Sequence, residues 1–130
     1  MDSEVLINLD NTYREVKEIE ESLNIIEQQL RELEEFKIGL KNIEENKNNE
    51  ILASLGKGVF IKSEIKDKKL FVDVGSGIII RKTPKATIET VEDQINKLSE
   101  IRSELAMRMN SAKMEFNELI KKGQDSQTKR

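Results

Sequence analysis

The sequence contains no cysteine and no histidine among its 130 residues. Without cysteine the chain can form no disulfide and offers no thiol nucleophile, which fits a reducing compartment. Without histidine it lacks the commonest general base and the commonest metal ligand in proteins. We therefore expect neither a metal site nor a cofactor in this chain.

Tryptophan is also absent, aromatic residues make up only 4% of the chain, and there is a single proline. This composition disfavours a compact globule and favours long helices in one soluble domain. No apolar run approaches the roughly 18 residues of a membrane span, and the acidic N-terminal residues contain no apolar signal core. We predict a cytoplasmic protein with no membrane partner.

Apolar residues recur at alternating spacings of three and four along the first third of the chain. These positions are Leu9, Thr12, Val16, Ile19, Leu23, Ile26, Leu30, Leu33, Lys37 and Leu40, and only the threonine and the lysine are not apolar. A heptad seam of this kind, about 47 Å long, predicts a helix over residues 5–43. The asparagine-rich residues 44–50 predict a loop after it.

A second seam follows Thr83 and Pro84, which suit the N-cap and the first position of a helix. Its positions are Ile88, Val91, Ile95, Leu98, Arg102, Leu105, Met109, Ala112, Phe116 and Leu119. The pattern predicts a helix over residues 84–122, ended by Gly123, and a disordered tail over residues 123–130.

If the two helices run antiparallel, two seam residues lie opposite each other when their residue numbers sum to 128. Every a position of one heptad repeat then faces a d position of the other, as coiled-coil packing requires. Leu9 then faces Leu119, and Leu40 faces Ile88. Residues 1–50 carry 14 acids and 6 bases, whereas residues 51–130 carry 11 acids and 16 bases, which suits two helices side by side. We predict an antiparallel coiled-coil hairpin. Pairing of each helix with helices of other chains is the alternative.

Residues 51–82 consist of short β-branched and aromatic runs separated by glycine turns. Residues 51–55 and 59–65 predict one β-hairpin, and residues 70–74 and 77–82 predict a second. An isolated hairpin is marginally stable in water, so this block needs partner chains. The predicted fold class is α+β, mainly α: one domain with a coiled-coil hairpin and a small β-hairpin head.

Fragments of the β block resemble catalytic motifs but lack their essential residues. Residues 56–58, Gly-Lys-Gly, are not followed by the serine or threonine of a phosphate-binding loop, and Ser76 has no histidine to activate it. Glu64 and Asp73 lie on neighbouring predicted strands without forming a recognisable catalytic pair. We predict that the chain is not an enzyme.

The β block also carries seven basic and three acidic residues between residues 57 and 82. Such a patch could contact nucleic acid. Lysines on strand edges also prevent aggregation, and Phe60 and Phe71 are the only aromatics available for stacking on bases. We favour a solvated strand face over nucleic-acid binding.

Several apolar residues occupy outer heptad positions that should face water. Ile7, Met107 and Met114 fall at f, and Leu6, Tyr13 and Ile120 fall at e. All except Met107 lie near the ends of the two seams that an antiparallel pairing brings together. Methionine is flexible and polarizable and suits surfaces that accept varied apolar partners. This pattern indicates an apolar binding surface, with incidental hydrophobic residues at helix ends as the alternative.

Residues 70–77, Leu-Phe-Val-Asp-Val-Gly-Ser-Gly, resemble the V-D-[VI]-G-[TS]-G motif of prefoldin alpha subunits, and the order of helix, β block and helix over residues 5–120 is similar to theirs. The resemblance implies an ATP-independent holdase chaperone that captures unfolded polypeptides at coiled-coil tips and transfers them to a group II chaperonin. Its partners would be prefoldin beta-type subunits, in a hetero-hexamer of two alpha and four beta subunits on a double β-barrel platform.

The same resemblance assigns residues by position. The client-binding tip would comprise Leu6, Ile7, Leu9, Tyr13, Met114, Phe116, Leu119 and Ile120, and the oligomerisation contacts would be Ile61, Leu70, Val72, Val74, Ile78 and Ile80. A structural coiled-coil tether or scaffold that binds no client is the alternative.

Overall fold

The computed structural model describes the backbone of residues 3–128 and the side chains of residues 3–125. Two long helices flank two β-hairpins. The elements are α1 (Ser3–Glu45), β1 (Glu50–Gly56), β2 (Val59–Glu64), β3 (Leu70–Asp73), β4 (Ile79–Lys82) and α2 (Pro84–Thr128). The chain divides into two compact units: unit 1 contains residues 1–31 and 96–130, and unit 2 contains Glu32–Ile95. The predicted α+β class, mainly α, is confirmed.

In unit 1 the heptad seam is the buried stripe of both helices. Every predicted seam position of this unit is buried or half-buried except Arg102. The polar Thr12 is 5% exposed, and its hydroxyl donates to the carbonyl of Asn8 at 2.8 Å. Because this bond satisfies the hydroxyl within the helix, threonine is tolerated in an apolar seam.

In unit 2 the seam builds a small core. Leu40, Ile88 and Val91 are buried together, and Leu33, Ile95 and the strand residue Leu70 pack against them. The predicted opposition of Leu40 and Ile88 is therefore confirmed.

Lys37 is the one lysine at a seam position of unit 2, and its side chain is long enough to fit there. Its side chain is 22% exposed and its ammonium lies 3.4 Å from a carboxylate oxygen of Glu92. The aliphatic stem can thus cover the seam while the charge reaches a partner at its edge.

The loop after the first helix comprises residues 46–49, shorter than the predicted 44–50, and an asparagine organises it. The Asn46 Oδ1 atom accepts hydrogen bonds from the amides of Asn48 and Asn49, and its Nδ2 donates to the carbonyl of Glu50 at 2.8 Å. Asn49 adopts a φ of 58°, a left-handed conformation that asparagine tolerates better than most residues. One side chain therefore connects the helix end to the first strand.

Both predicted hairpins are present. In the first, β1 pairs antiparallel with β2, Leu52 opposite Lys62 and Ser54 opposite Phe60, with a register shift beside Gly56. In the second, β3 pairs antiparallel with β4, so that Val72 lies opposite Ile80. The two hairpins form separate two-stranded sheets within the part of the chain that the structure describes.

The start of α2 matches its prediction. The Thr83 hydroxyl accepts a hydrogen bond from the amide of Ala86 at 3.1 Å, and Pro84 is the first helical residue. The N-cap therefore satisfies an amide that has no partner within the helix.

The end of α2 differs from its prediction. Gly123 is helical and buried, and the helix continues to Thr128. Gly123 lies four residues after Leu119, on the seam, where a small buried residue is accommodated; glycine ends a helix only where the backbone turns left-handed. The predicted tail is thus helical through residue 128, and its last two residues lie outside the described part of the chain. The helix prediction of 5–43 is likewise extended by two residues at each end, to Ser3–Glu45.

No helix among the described residues is long and apolar enough to cross a membrane.

Candidate functional site

Two surfaces carry exposed apolar side chains, one in each unit. We call the first the terminal cluster, defined by the eight predicted tip residues of α1 and α2: Leu6, Ile7, Leu9, Tyr13, Met114, Phe116, Leu119 and Ile120. We call the second the hairpin surface, formed by the apolar residues of β1 to β4 and their turns. Over residues 3–128, no group of three acidic residues is placed to hold a metal ion.

The structure separates the terminal cluster into exposed and seam residues. Leu6, Ile7, Tyr13 and Met114 are 51–61% exposed. Leu9, Phe116 and Ile120 are half-buried, and Leu119 is only 9% exposed. The first four thus offer surface directly, whereas the other four contribute mainly to the pairing of the helices.

An aromatic pair connects the two helices in this cluster. The rings of Tyr13 and Phe116 lie 6.4 Å apart with a tilt of 43° between their planes, and the ammonium of Lys17 sits 5.6 Å from the Tyr13 ring centre. Tilted aromatic pairs at this distance attract through the edge of one ring and the face of the other. The pair brings Tyr13 of α1 and Phe116 of α2 into contact in unit 1.

The six predicted oligomerisation residues of the hairpin surface differ in their exposure. Ile61, Val74, Ile78 and Ile80 are exposed, whereas Leu70 and Val72 are half-buried. Leu70 packs on the core of unit 2, and Val72 lines a depression between β3 and the helices of the same unit. These two side chains therefore support the second hairpin from beneath.

Six outward-facing hydrophobic residues of the two hairpins are not among the predicted site residues. These are Leu52, Leu55, Val59, Phe60, Phe71 and Ile79, all more than half exposed. Phe71 and Ile79 alternate with Leu70 and Ile80 along the strands. The two-residue period therefore assigns the two pairs to opposite faces of the hairpin, but it does not show which face points outward. The motif that carries the family resemblance contains Phe71, and that was the available signal.

Hydrogen bonds connect the residues that follow β2 to the end of α1 and to the loop after it. The Lys68 ammonium, in the loop between the hairpins, donates to the carbonyls of Asn46 at 2.6 Å and Glu44 at 3.1 Å. Carbonyls in the last turn of a helix lack partners within it and carry partial negative charge, so a lysine stabilises them. The Ile65 amide adds a bond to the carbonyl of Asn49 at 2.6 Å.

The residue before this lysine connects the same loop to β4. Asp67 accepts a hydrogen bond from the Lys69 amide at 2.9 Å and forms an ion pair with Arg81. The amide of Lys69, followed by the Arg81 guanidinium, holds the pKa of Asp67 below its ordinary value. Arg81 also lies over the Phe71 ring, 5.2 Å from its centre. The loop therefore ties the helix end to the second hairpin.

The basic residues of the β block are largely committed to contacts within the chain. Lys62 lies 3.9 Å from Glu50, Lys82 donates to Thr90 at 3.2 Å, and Lys68 and Arg81 are engaged as described. The patch therefore has stabilising roles that do not require nucleic acid.

Two helices with heptad seams that flank a pair of β-hairpins define a coiled-coil protein with a β-hairpin head. A family model described as prefoldin subunit matches residues 13–129. The chain belongs to the prefoldin family, among its alpha subunits.

Curated relatives support the alpha assignment. The chain is 33% identical over 85 residues to prefoldin subunit alpha 2 of Thermococcus kodakarensis, covering 65% of this chain and 60% of the relative. It is 32% identical over 91 residues to prefoldin subunit alpha of Archaeoglobus fulgidus, covering 63% and 66%. It is 30% identical over 110 residues to prefoldin subunit alpha of Pyrococcus horikoshii, covering 84% and 74%. The matched regions thus span less than two thirds of the first two relatives.

A solved structure shares the fold. The cryo-EM structure of filamentous PFD from Methanocaldococcus jannaschii superimposes with a TM-score of 0.71 at 17% identity, covering 88% of this chain and 97% of that one. Membership of a chaperone family follows from the family model and the curated relatives.

Proposed function

We propose that this chain is an ATP-independent holdase subunit that binds unfolded polypeptides at the terminal cluster and passes them to a group II chaperonin in the cytoplasm. It works without catalysis and without a cofactor. The observation that carries the proposal is the exposure of Leu6, Ile7, Tyr13 and Met114, four large apolar side chains, on helices that already have a buried seam.

The physical basis is that these helices need nothing from a client to remain folded. Their backbone groups are paired along the helix, and their seam residues already bury the apolar stripe. The exposed residues can therefore exchange water for an unfolded chain's apolar segments without a conformational change. Each contact is weak, and several subunits in one assembly gain affinity through multivalency.

The hairpins supply the assembly. Each two-stranded sheet has unpaired strand edges and exposed hydrophobic residues, including Val74 and Ile78 in the second hairpin. Open edges favour strand addition by another chain. We place prefoldin beta-type subunits on these edges, in a hetero-hexamer of two alpha and four beta subunits.

The test is suppression of aggregation. A chemically denatured client is diluted without ATP in the presence of this chain, a beta-type subunit, or both, while light scattering and native mass are recorded. Suppressed scattering that coincides with a hexameric mass supports the proposal. A hexamer that leaves scattering unchanged rejects client binding and favours the structural tether.

A pair of methionines provides a matched variant and control. Met114 in the terminal cluster and Met107 outside it are 58% and 72% exposed at the same heptad position. Met114→Ser combined with Leu6→Ser should weaken client protection, whereas Met107→Ser should not. Leu119→Ser is a poorer probe, because Leu119 is buried in the seam and its replacement also disturbs helix pairing. Equal loss from both methionine variants would contradict the assignment of clients to the terminal cluster.

A further inference from the structure

Charge and apolar character differ between the two sides of the helix pair in unit 1. We call residues 3–18 of α1 and 110–125 of α2 the terminal segments, which pair residue by residue because opposite numbers sum to 128. At about 100° per residue, heptad positions e and b lie to one side of the seam, g and c lie to the other, and f points away from the partner helix. In an antiparallel pair, the e positions of both helices share one side and the g positions share the other.

The side with positions g and c contains no apolar residue, and we call it the acidic face. Its ten residues, all exposed, are Glu4, Asn8, Asn11, Glu15, Glu18, Ser111, Glu115, Glu118, Lys122 and Asp125. Six of these residues are acids and one is a base. Glu15 of α1 and Glu115 of α2 line the same surface depression, so the g residues of the two helices do lie on one side.

Positions e, b and f hold every apolar residue of the terminal segments outside the seam, and we call them the basic face. The apolar residues are Leu6, Ile7, Tyr13, Met114 and Ile120, and the bases are Arg14, Lys17, Lys113 and Lys121. Asp10 is the one acid at these positions, and its carboxylate lies 3.2 Å from the guanidinium of Arg14. The apolar surface of the terminal segments is therefore surrounded by positive charge.

Two lysines border the aromatic pair at the centre of the basic face. The Lys17 ammonium lies 5.6 Å from the centre of the Tyr13 ring, and its contact with Glu20, at 3.7 Å, is an exposed pair of the kind that contributes little. Lys113 stands three residues before Phe116, whose ring lies 6.4 Å from that of Tyr13, and residues at this spacing are neighbours on a helix surface. An apolar segment that covers the Tyr13 ring therefore brings its flanking residues close to two ammonium groups.

The charges of the acidic face act only weakly on a segment bound to the basic face. A helix with its side chains is about 10–12 Å across, so the two faces are separated by at least that distance. Interactions between exposed charges are screened over about 8 Å at physiological ionic strength. The bases next to the segment therefore decide which flanking charges are favoured, since opposite charges attract across an interface and like charges are penalised.

We infer that the basic face is the side of the terminal cluster that takes the client, and that it prefers unfolded segments whose apolar residues are flanked by acidic residues. The inference rests on the proposed client binding and adds to it a face and a class of segment. The apolar residues of the segment cover Leu6, Tyr13 and Ile120, while Lys17 and Lys113 attract its acidic flanks. Segments with basic flanks meet like charge on this face and find no apolar residue on the other.

Three labelled peptides with one shared apolar core test the preference, carrying flanks of aspartate, serine or lysine. Fluorescence anisotropy measures their dissociation constants for the full-length chain at low and high salt. We expect the aspartate-flanked peptide to bind about five-fold more tightly than the lysine-flanked one, the size of two exposed ion pairs, with the serine-flanked peptide between them. The preference should shrink at about 1 M salt, where the screening length falls to about 3 Å.

A matched pair of lysines identifies the face. Lys113 at position e and Lys122 at position g are both exposed and lie on the same helix. Lys113→Gln should reduce the preference to about two-fold, and Lys113→Gln combined with Lys17→Gln should abolish it, because each variant removes one ammonium group beside the aromatic pair. Lys122→Gln removes the same charge from the acidic face and should leave the preference unchanged. Circular dichroism checks that each variant keeps its helices.

The outcomes separate this inference from the proposed function. Equal binding of the three peptides, or a preference that Lys122→Gln reduces as much as Lys113→Gln does, would overturn the inference and leave client binding intact. Binding of none of the peptides by the folded wild-type chain would overturn client binding at the terminal cluster, and the inference with it.

Discussion

Both units expose large hydrophobic residues, but they hold them in different ways. In unit 1 the exposed residues stand on two helices whose backbone groups are already paired. In unit 2 most of them stand on two-stranded sheets with open edges, and Lys68, in the loop between the sheets, donates to the carbonyls of Glu44 and Asn46 at the end of α1 and just after it. Side chains on a helix face offer apolar area without directional backbone bonds, which suits varied partners. Open strand edges demand backbone bonds in a fixed register, which suits one defined partner.

The largest expected effect tests how strongly each unit depends on its core. Leu40→Ala removes a side chain that is 3% exposed and should cost about 2–5 kcal/mol in the free energy of unfolding. Leu23→Ala, at a half-buried seam position in unit 1, should cost less. Urea denaturation followed by circular dichroism measures both. Ile38→Ala is the control, because Ile38 is 58% exposed and its truncation should change stability by less than about 0.5 kcal/mol. Equal costs for all three would contradict the described core.

A substitution with an intermediate expected effect tests the hydrogen bonds between the loop that joins the hairpins and the end of α1. Lys68→Met keeps the aliphatic stem but leaves the carbonyls of Glu44 and Asn46 without their donor. We expect a loss of about 1–2 kcal/mol in the free energy of unfolding, since hydrogen bonds to charged groups are stronger than neutral ones. Assembly with a beta-type subunit should weaken as well, while the exposed surface of unit 1 is unchanged. Lys66→Met, in the same loop and exposed, serves as the control. An unchanged Lys68→Met protein would show that the hairpins are positioned by packing alone.

The smallest effect depends on pH. Because the folded protein lowers the pKa of Asp67, its carboxylate stabilises the folded state above the ordinary pKa, and this contribution disappears as the pH falls through the lowered value. Asp67→Asn should therefore be less stable than the wild type at pH 7 and approach it below about pH 4. Urea midpoints at several pH values measure the difference. Asp93→Asn, on an exposed position of α2, controls for the change in net charge. A difference that persists undiminished at low pH would contradict the bonds of the Asp67 carboxylate to the Lys69 amide and to Arg81 as its source.

Much of the fold follows from patterns that are local in the chain. The three-four spacing located the seams of both helices, and Thr83 with Pro84 located the start of α2. Arg102 shows the limit of the pattern: it occupies a seam position and is nevertheless exposed. A long charged side chain can leave the seam for solvent, and only the packing around it decides whether it does. Gly123 shows another limit, because its burial on the seam outweighed its preference for ending a helix.

The candidate site was predicted more completely in unit 1 than in unit 2. Tyr13, Met114 and Leu6 are apolar at outer heptad positions, and the helical period alone indicates that such positions face outward. The roles of Lys68 and Asp67 were not predicted, because their partners lie 22 and 14 residues away in the chain. Contacts of this separation have no periodic signature.

The sequence by itself determined where the helices, hairpins and turns lie, apart from the end of α2, since spacing, capping residues and glycines act over a few residues. It also determined which helical residues are apolar yet outside the seam. The tertiary structure alone decided which face of the second hairpin rests on the helices, with Leu70 and Val72 inward and Phe71 and Ile79 outward. A strand has two faces of equal period, and both faces here are hydrophobic. The core of Leu40, Ile88 and Val91 decides which face of the hairpin turns inward, because only one face can cover it.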